Sequence, residues 1–126
     1  LAGIGRRAGV PGGMTMANRH RGEIAAVFDG RRFTLCLTLG ALAELEHAFQ
    51  AGDLVGLAER FGSGRLKAED AVRVIGAGLR GAGNPVSDDE VASMTTPGGA
   101  AGFAAIVTDL LTATFGAAEE DGENPL

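Results

Sequence analysis

Between Arg32 and Leu39 the chain alternates strictly. Phe33, Leu35, Leu37 and Leu39 are large and apolar, while Arg32, Thr34, Cys36 and Thr38 separate them, so a strand here would carry four apolar side chains on one face. A second β-rich run, Ile24 to Phe28, precedes it, and Asp29-Gly30 joins the two. Asp-Gly suits a type I′ turn because both central residues must take positive φ. The pattern predicts a β-hairpin over residues 23–39. Two strands alone are marginal in water, so the apolar face needs a cover, from the rest of the chain or from another protein.

From Gly40 the period lengthens to that of a helix. Leu42, Leu45 and Phe49 lie at i, i+3 and i+7, with Thr38 as the N-cap and Gly52 as the stop. Asp53 caps a second helix of about two turns carrying Leu54, Leu57 and Phe61, closed by Gly62-Ser63-Gly64. A third starts near Lys67, places Glu69 and Asp70 in its first turn, presents Val72, Ile75 and Leu79, and breaks at Gly81. Ser87 and Glu90 have the spacing of a capping box that opens a short helix running towards Met94. Finally Ala100, Phe103, Val107, Leu110, Leu111, Thr114 and Phe115 draw an apolar stripe along a helix of about four turns, expected to be the backbone of the core. The predicted fold class is α+β, with an N-terminal β-hairpin followed by a compact bundle of four to five short helices.

A length of 126 residues implies one domain. The expected division is an N-terminal extension over 1–16, a single domain over 17–117 (hairpin 23–39, helices 40–117) and an acidic, disordered tail over 118–126. Translation is expected to start at Met14 or Met16, with an added or read-through stretch before it. Hydrophobic residues make up 45%, yet Trp and Tyr are absent and only six Phe serve as rings, so Leu, Val, Ile and Ala must build the core. The net charge of -5 is unevenly spread, with four arginines and no acid before Gly22 and four acids after Ala118. A mildly acidic middle without a basic face, and few rings on which bases could stack, argue against nucleic acid. The lone Cys36 excludes an internal disulfide framework and fits a reducing, cytoplasmic compartment. The apolar runs are broken by Gly, Thr and charges, so no membrane span is expected, and the N-terminus has no signal-peptide h-region.

Candidate chemistry is sparse. Gly76, Gly78 and Gly81 match G-x-G-x-x-G, but a dinucleotide-binding turn must follow a strand and open a helix, whereas these close one. The expected roles are close packing for Gly76 and Gly78 and a left-handed cap for Gly81. Glu44 and His47 share a helical face but are only two ligands, and His20 sits in an arm expected to be mobile. Cys36 has no evident base beside it, and Asp88, Asp89 and Glu90 are explained by the helix start they occupy. No cofactor, metal or catalytic residue is assigned. Arg31 and Arg32, after the turn, either contact an acidic partner or discourage edge-to-edge pairing.

The stretches ANRHRGEI (Ala17 to Ile24), RRFTLCLTLGALAELE (Arg31 to Glu46), LAERFGSGRL (Leu57 to Leu66), AGLRGAGNPVSDDEV (Ala77 to Val91) and GGAAGFAAIV (Gly98 to Val107) are packing and turn signatures. Together they resemble the small tail proteins of gene transfer agents and related siphophage-like elements of alphaproteobacteria. The resemblance implies a non-enzymatic role in tail morphogenesis. The family is named for the tail tube, while its likeness to tail assembly chaperones implies a protein that keeps the tape-measure protein soluble and helps tube subunits polymerise. One hairpin followed by helices favours the chaperone over the tube or tail-completion subunit, because a ring wall needs a substantial sheet. The implied partners are the tape-measure and tail tube proteins, with self-association through an unpaired strand edge left open and incorporation into phage-like particles as the other location. Partner-binding residues are assigned to the hairpin: Arg31, Arg32, Phe33, Leu35 and Leu37.

Overall fold

The computed structural model describes residues 17–62 and 66–116. The expected N-terminal extension, the Ser63-Gly64 part of the predicted turn and the acidic tail lie outside the described residues. The order is a 3-10 turn (Arg19–Arg21), β1 (Glu23–Phe28), β2 (Arg31–Cys36), α1 (Leu39–Phe49), α2 (Leu54–Gly62), α3 (Ala68–Gly81), α4 (Asp88–Ala92) and α5 (Gly99–Leu111), the last continued by a π-helical turn over Thr112–Gly116. The α+β architecture is the predicted one, a two-stranded antiparallel sheet followed by five helices.

Asp29 and Gly30, at φ 54° and 78°, form the type I′ turn, and Phe28 pairs with Arg31 across it. The register sets Ile24 opposite Leu35 and Ala26 opposite Phe33, so these four side chains with Phe28 make the inner face. The strand is three residues shorter than the alternation implied. Thr38 leaves the sheet to cap α1, accepting from Ala41 N at 3.2 Å, which makes Leu39 a first-turn helical residue, 77% exposed. Helix α1 stops at Gln50, which takes the left-handed conformation (φ 54°) before Gly52 is reached. Asp53 caps α2 through Gly56 N, and the capping box of α4 forms in both directions between Ser87 and Glu90.

Helix α3 is the hub. It packs on β2, α1, α4 and α5, and its buried run Val74–Leu79 includes two glycines. A Cβ on Gly78 would press on Leu110 and Leu35, and one on Gly81 would overlap the Cys36 carbonyl oxygen. Gly81 therefore serves close approach to the sheet, while the left-handed residue after α3 is Gly83 (φ 96°), which corrects the cap expected at Gly81. The predicted arm is also structured where described: Asn18 caps the 3-10 turn by accepting from His20 N.

Alanine is the better helix former, so any loss at these glycines reports sterics. Gly81→Ala is expected to lower stability by about 1–3 kcal/mol, as overpacking against backbone does. Gly78→Ala should cost less, because the closest atom its methyl meets is the Cδ2 end of Leu110, which can shift, whereas Gly81 meets a backbone carbonyl; urea denaturation of the two variants measures the difference.

Candidate functional site, an apolar groove beside the last helix

Helix α5 begins at Gly98 and Gly99, both at positive φ, without a side-chain cap. At its far end Thr114 Oγ1 donates to Leu110 O at 2.8 Å inside the π-helical turn. Val107, Leu110 and Ala113 are buried, and Phe103 stacks on Phe28 with ring centroids 6.2 Å apart. The opposite side is open: Ala100, Ala101, Ala104, Ala105, Thr108 and Thr112 are all exposed. The one charge on the helix is Asp109, paired with Arg19 at 2.8 Å.

Gly99–Gly116 is long and apolar enough to cross a membrane by length and composition, with 17% of it buried. That departs from the expectation that no run would qualify. Within this fold its buried side packs on β1 and α3, so it serves as a core helix with one uncovered face.

Two clefts flank α5. The larger, of about 860 Å³, runs between α5 and a wall made from the end of α2, the first half of α3, and α4. Phe61, Val72, Ile75 and Met94 line one side and Phe103, Leu111 and Phe115 the other; among the described residues Lys67 is the one charged residue in the lining. The shallower cleft lies between α5 and β1. Among the described residues neither holds paired carboxylates or a nucleophile with a base, and no group of three His, Cys, Asp or Glu is placed to hold a metal. What the arrangement can do is bury apolar surface.

The five hairpin residues assigned to a partner are divided by the structure. Arg31 and Arg32 are exposed beside the turn, with the Arg31 guanidinium 5.2 Å from the Phe33 ring centre. Phe33 is half-buried against Phe28. Leu35 and Leu37 are enclosed by the chain's own helices, 0% and 6% exposed, and offer nothing to another protein in this fold. The outer strand edges carry side-chain caps. Thr96 Oγ1 donates to Val27 O at 2.6 Å on β1, and Asn84 Nδ2 donates to Thr34 O at 3.0 Å on β2. The turn itself is clamped, with Asp29 Oδ1 accepting from both Thr95 N and Thr95 Oγ1. Sequence reasoning missed the groove and the open α5 face. The signal was present in Gly98–Thr108, an eleven-residue stretch without charge and with small residues on every side.

The glycine motif lies within α3, with Gly76 against Asp88 and Arg80, so its backbone N–H groups serve the helix. His47 is exposed on α1. Cys36 donates weakly to Arg21 O at 3.6 Å, and desolvation, then the Glu23 carboxylate, raise its pKa against the pull of Arg21.

The model of a family described as "Phage tail tube protein, GTA-gp10" matches residues 21–117. No match was found among curated proteins or among solved structures.

A raised thiol pKa leaves less thiolate at neutral pH. Cys36 is therefore expected to alkylate more slowly with iodoacetamide than a free peptide thiol at pH 7.5, with the midpoint of its rate–pH profile moved upward; an unshifted midpoint would contradict the burial argument.

Proposed function

Since the chain belongs to the family of phage tail tube proteins described as GTA-gp10, we propose that it is a structural subunit of a gene transfer agent tail, a tube or tail-completion component that works by non-covalent assembly with other tail proteins. The family match over residues 21–117 carries this reading. The groove beside α5 supports it, because its lining suits burial of another protein's apolar surface and, among the described residues, contains no catalytic set. Such a subunit needs no cofactor and no enzymatic activity. Its location is the assembled particle, with the cytoplasm as the site of synthesis and assembly.

A second reading is the tail assembly chaperone, a protein that holds tape-measure and tube chains and leaves before the particle is complete. The sheet favours it: two strands, with Val27 O and Thr34 O on the outer edges already taken by Thr96 and Asn84, present little backbone for building a ring wall. In that case the same groove would receive a helix of the client by face burial.

The two readings differ in what purified particles contain. Quantitative mass spectrometry of particles is expected to find the chain at many copies, in fixed ratio to the other tail proteins. Its absence from particles, together with its retention by tape-measure or tube chains in a co-expression pull-down, would replace the structural reading by the chaperone.

A further inference from the structure

We propose that the cleft between β1 and α5 holds a third strand, supplied by residues 13–17 of the chain itself and antiparallel to β1. The register shows which backbone groups of β1 face outward. Thr34 lies opposite Ala25, and Thr34 O points away from β1 to accept from Asn84, so the two share no mutual hydrogen bonds and Ala25 N and O face outward. Val27 and Glu23 face the same way: Val27 O accepts from Thr96 Oγ1, and Glu23 N donates to Asn18 O at 3.0 Å. Between those two tied positions, Ala25 N and O have no partner among the described residues. An edge of this kind is a template for one more strand.

Asn18 indicates the occupant. Its backbone is extended (φ -107°, ψ 102°), its O accepts from Glu23 N, and its N donates to Glu23 Oε1 at 2.9 Å. Asn18 and Glu23 therefore already stand as the first rung of an antiparallel ladder, closed by the loop Arg19–Gly22 with Gly22 at positive φ. Continued one residue at a time, that register sets Ala17 opposite Ile24, Met16 opposite Ala25, Thr15 opposite Ala26 and Met14 opposite Val27. Met16 then bonds Ala25 through both backbone groups, and Val27 N finds Met14 O. The side chains alternate to fit. Gly13, Thr15 and Ala17 fall on the face of Ile24 and Ala26, towards a cleft wall itself built of small groups, Ala101, Ala104, Ala105 and Thr108. Met14 and Met16 fall beside the half-buried Ala25 and Val27. Arg19, paired at 2.8 Å with Asp109 in the lining of the same cleft, pins the loop to α5. A loop this short costs little closure entropy, which favours the chain's own segment over a strand from elsewhere. The strand stands whichever tail role the chain has.

Residue-resolved amide hydrogen exchange by NMR tests this. The Ala25 and Val27 amides are expected to exchange about tenfold or more slowly in the full chain than in a chain beginning at Asn18, while those of Ile24 and Ala26, which face β2, keep their rates. Met16→Pro removes the donor to Ala25 O and should release the Ala25 amide in the same way. In the full chain, Hα–Hα contacts are expected between Ala17 and Ile24 and between Thr15 and Ala26, the pairs without mutual hydrogen bonds. Should the shortened chain unfold, Met16→Pro and these contacts decide. Equal exchange of Ala25 and Val27 with and without the segment, or absence of both Hα–Hα contacts, overturns the proposal. Protection that grows with protein concentration, or that arises only on adding tape-measure or tube chains, gives the edge to a second copy or to a foreign strand and equally overturns it.

Discussion

A two-stranded sheet can cover neither of its own faces, and in this chain everything depends on how closely α3 can lie against it. Strand β2 offers Leu35 and the Cys36 carbonyl to the helix, and Gly78 and Gly81 are the positions where helix and strand would otherwise collide. A helix carrying side chains there would stand off the sheet and open a gap that dispersion contacts cannot bridge. The close seat brings Val74, Ile75 and Leu79 into one core with Phe28, Leu35 and Leu45. Glycine in a helix is costly in backbone entropy, so its presence at these contact points follows from the packing and in spite of helix propensity.

The two ends of α3 are then fixed by polar ties. At the C-terminal end Arg80 donates to Val86 O and to Asp88, each at 3.0 Å, and pairs with Glu44 on α1. One half-buried guanidinium thereby joins α1, α3 and the start of α4. Burial disfavours its charge, and the bonds to Glu44 and Asp88 outweigh that, leaving its pKa raised. At the N-terminal end Asp70, 4% exposed, accepts from Lys67 N and faces Arg60 of α2 at 3.7 Å. A carboxylate at that depth is tolerable because it meets the positive end of the helix and a cation together.

Elements whose ends are set by local chemistry were legible in the sequence. The Asp29-Gly30 turn, the Thr38 and Asp53 caps and the Ser87–Glu90 box each depend on residues within four positions of one another, and all four formed. Tertiary demands were not legible. Alternation ran on to Leu39 because an apolar residue is as acceptable in the first turn of α1 as on a strand; the Thr38 cap, a local signal already legible, assigns Leu39 to the helix. Gly81 and Gly83 are indistinguishable as letters, and the nearness of the Cys36 carbonyl assigns close approach to one and positive φ to the other. Periodicity showed that Leu35 and Leu37 must be covered; that the chain's own helices cover them follows from where α3 sits.

The open face of α5 was hidden for a related reason. A helix displays its buried side through contrast with a polar opposite side, and α5 has almost none: Ala101, Ala104 and Ala105 face solvent while Val107 and Leu110 face the core. Small residues soften the hydrophobic penalty of exposure, since each alanine presents little area to water. An uncharged helical ridge beside an apolar groove nevertheless remains costly to leave bare along its whole length, and surfaces of this kind mark sites of association. The negative charge of the chain is concentrated elsewhere, on α1, on α4 and after Ala118, partly offset by the four arginines before Gly22. The described residues are therefore divided between charged elements, α1 and α4, and one neutral, largely apolar face along α5.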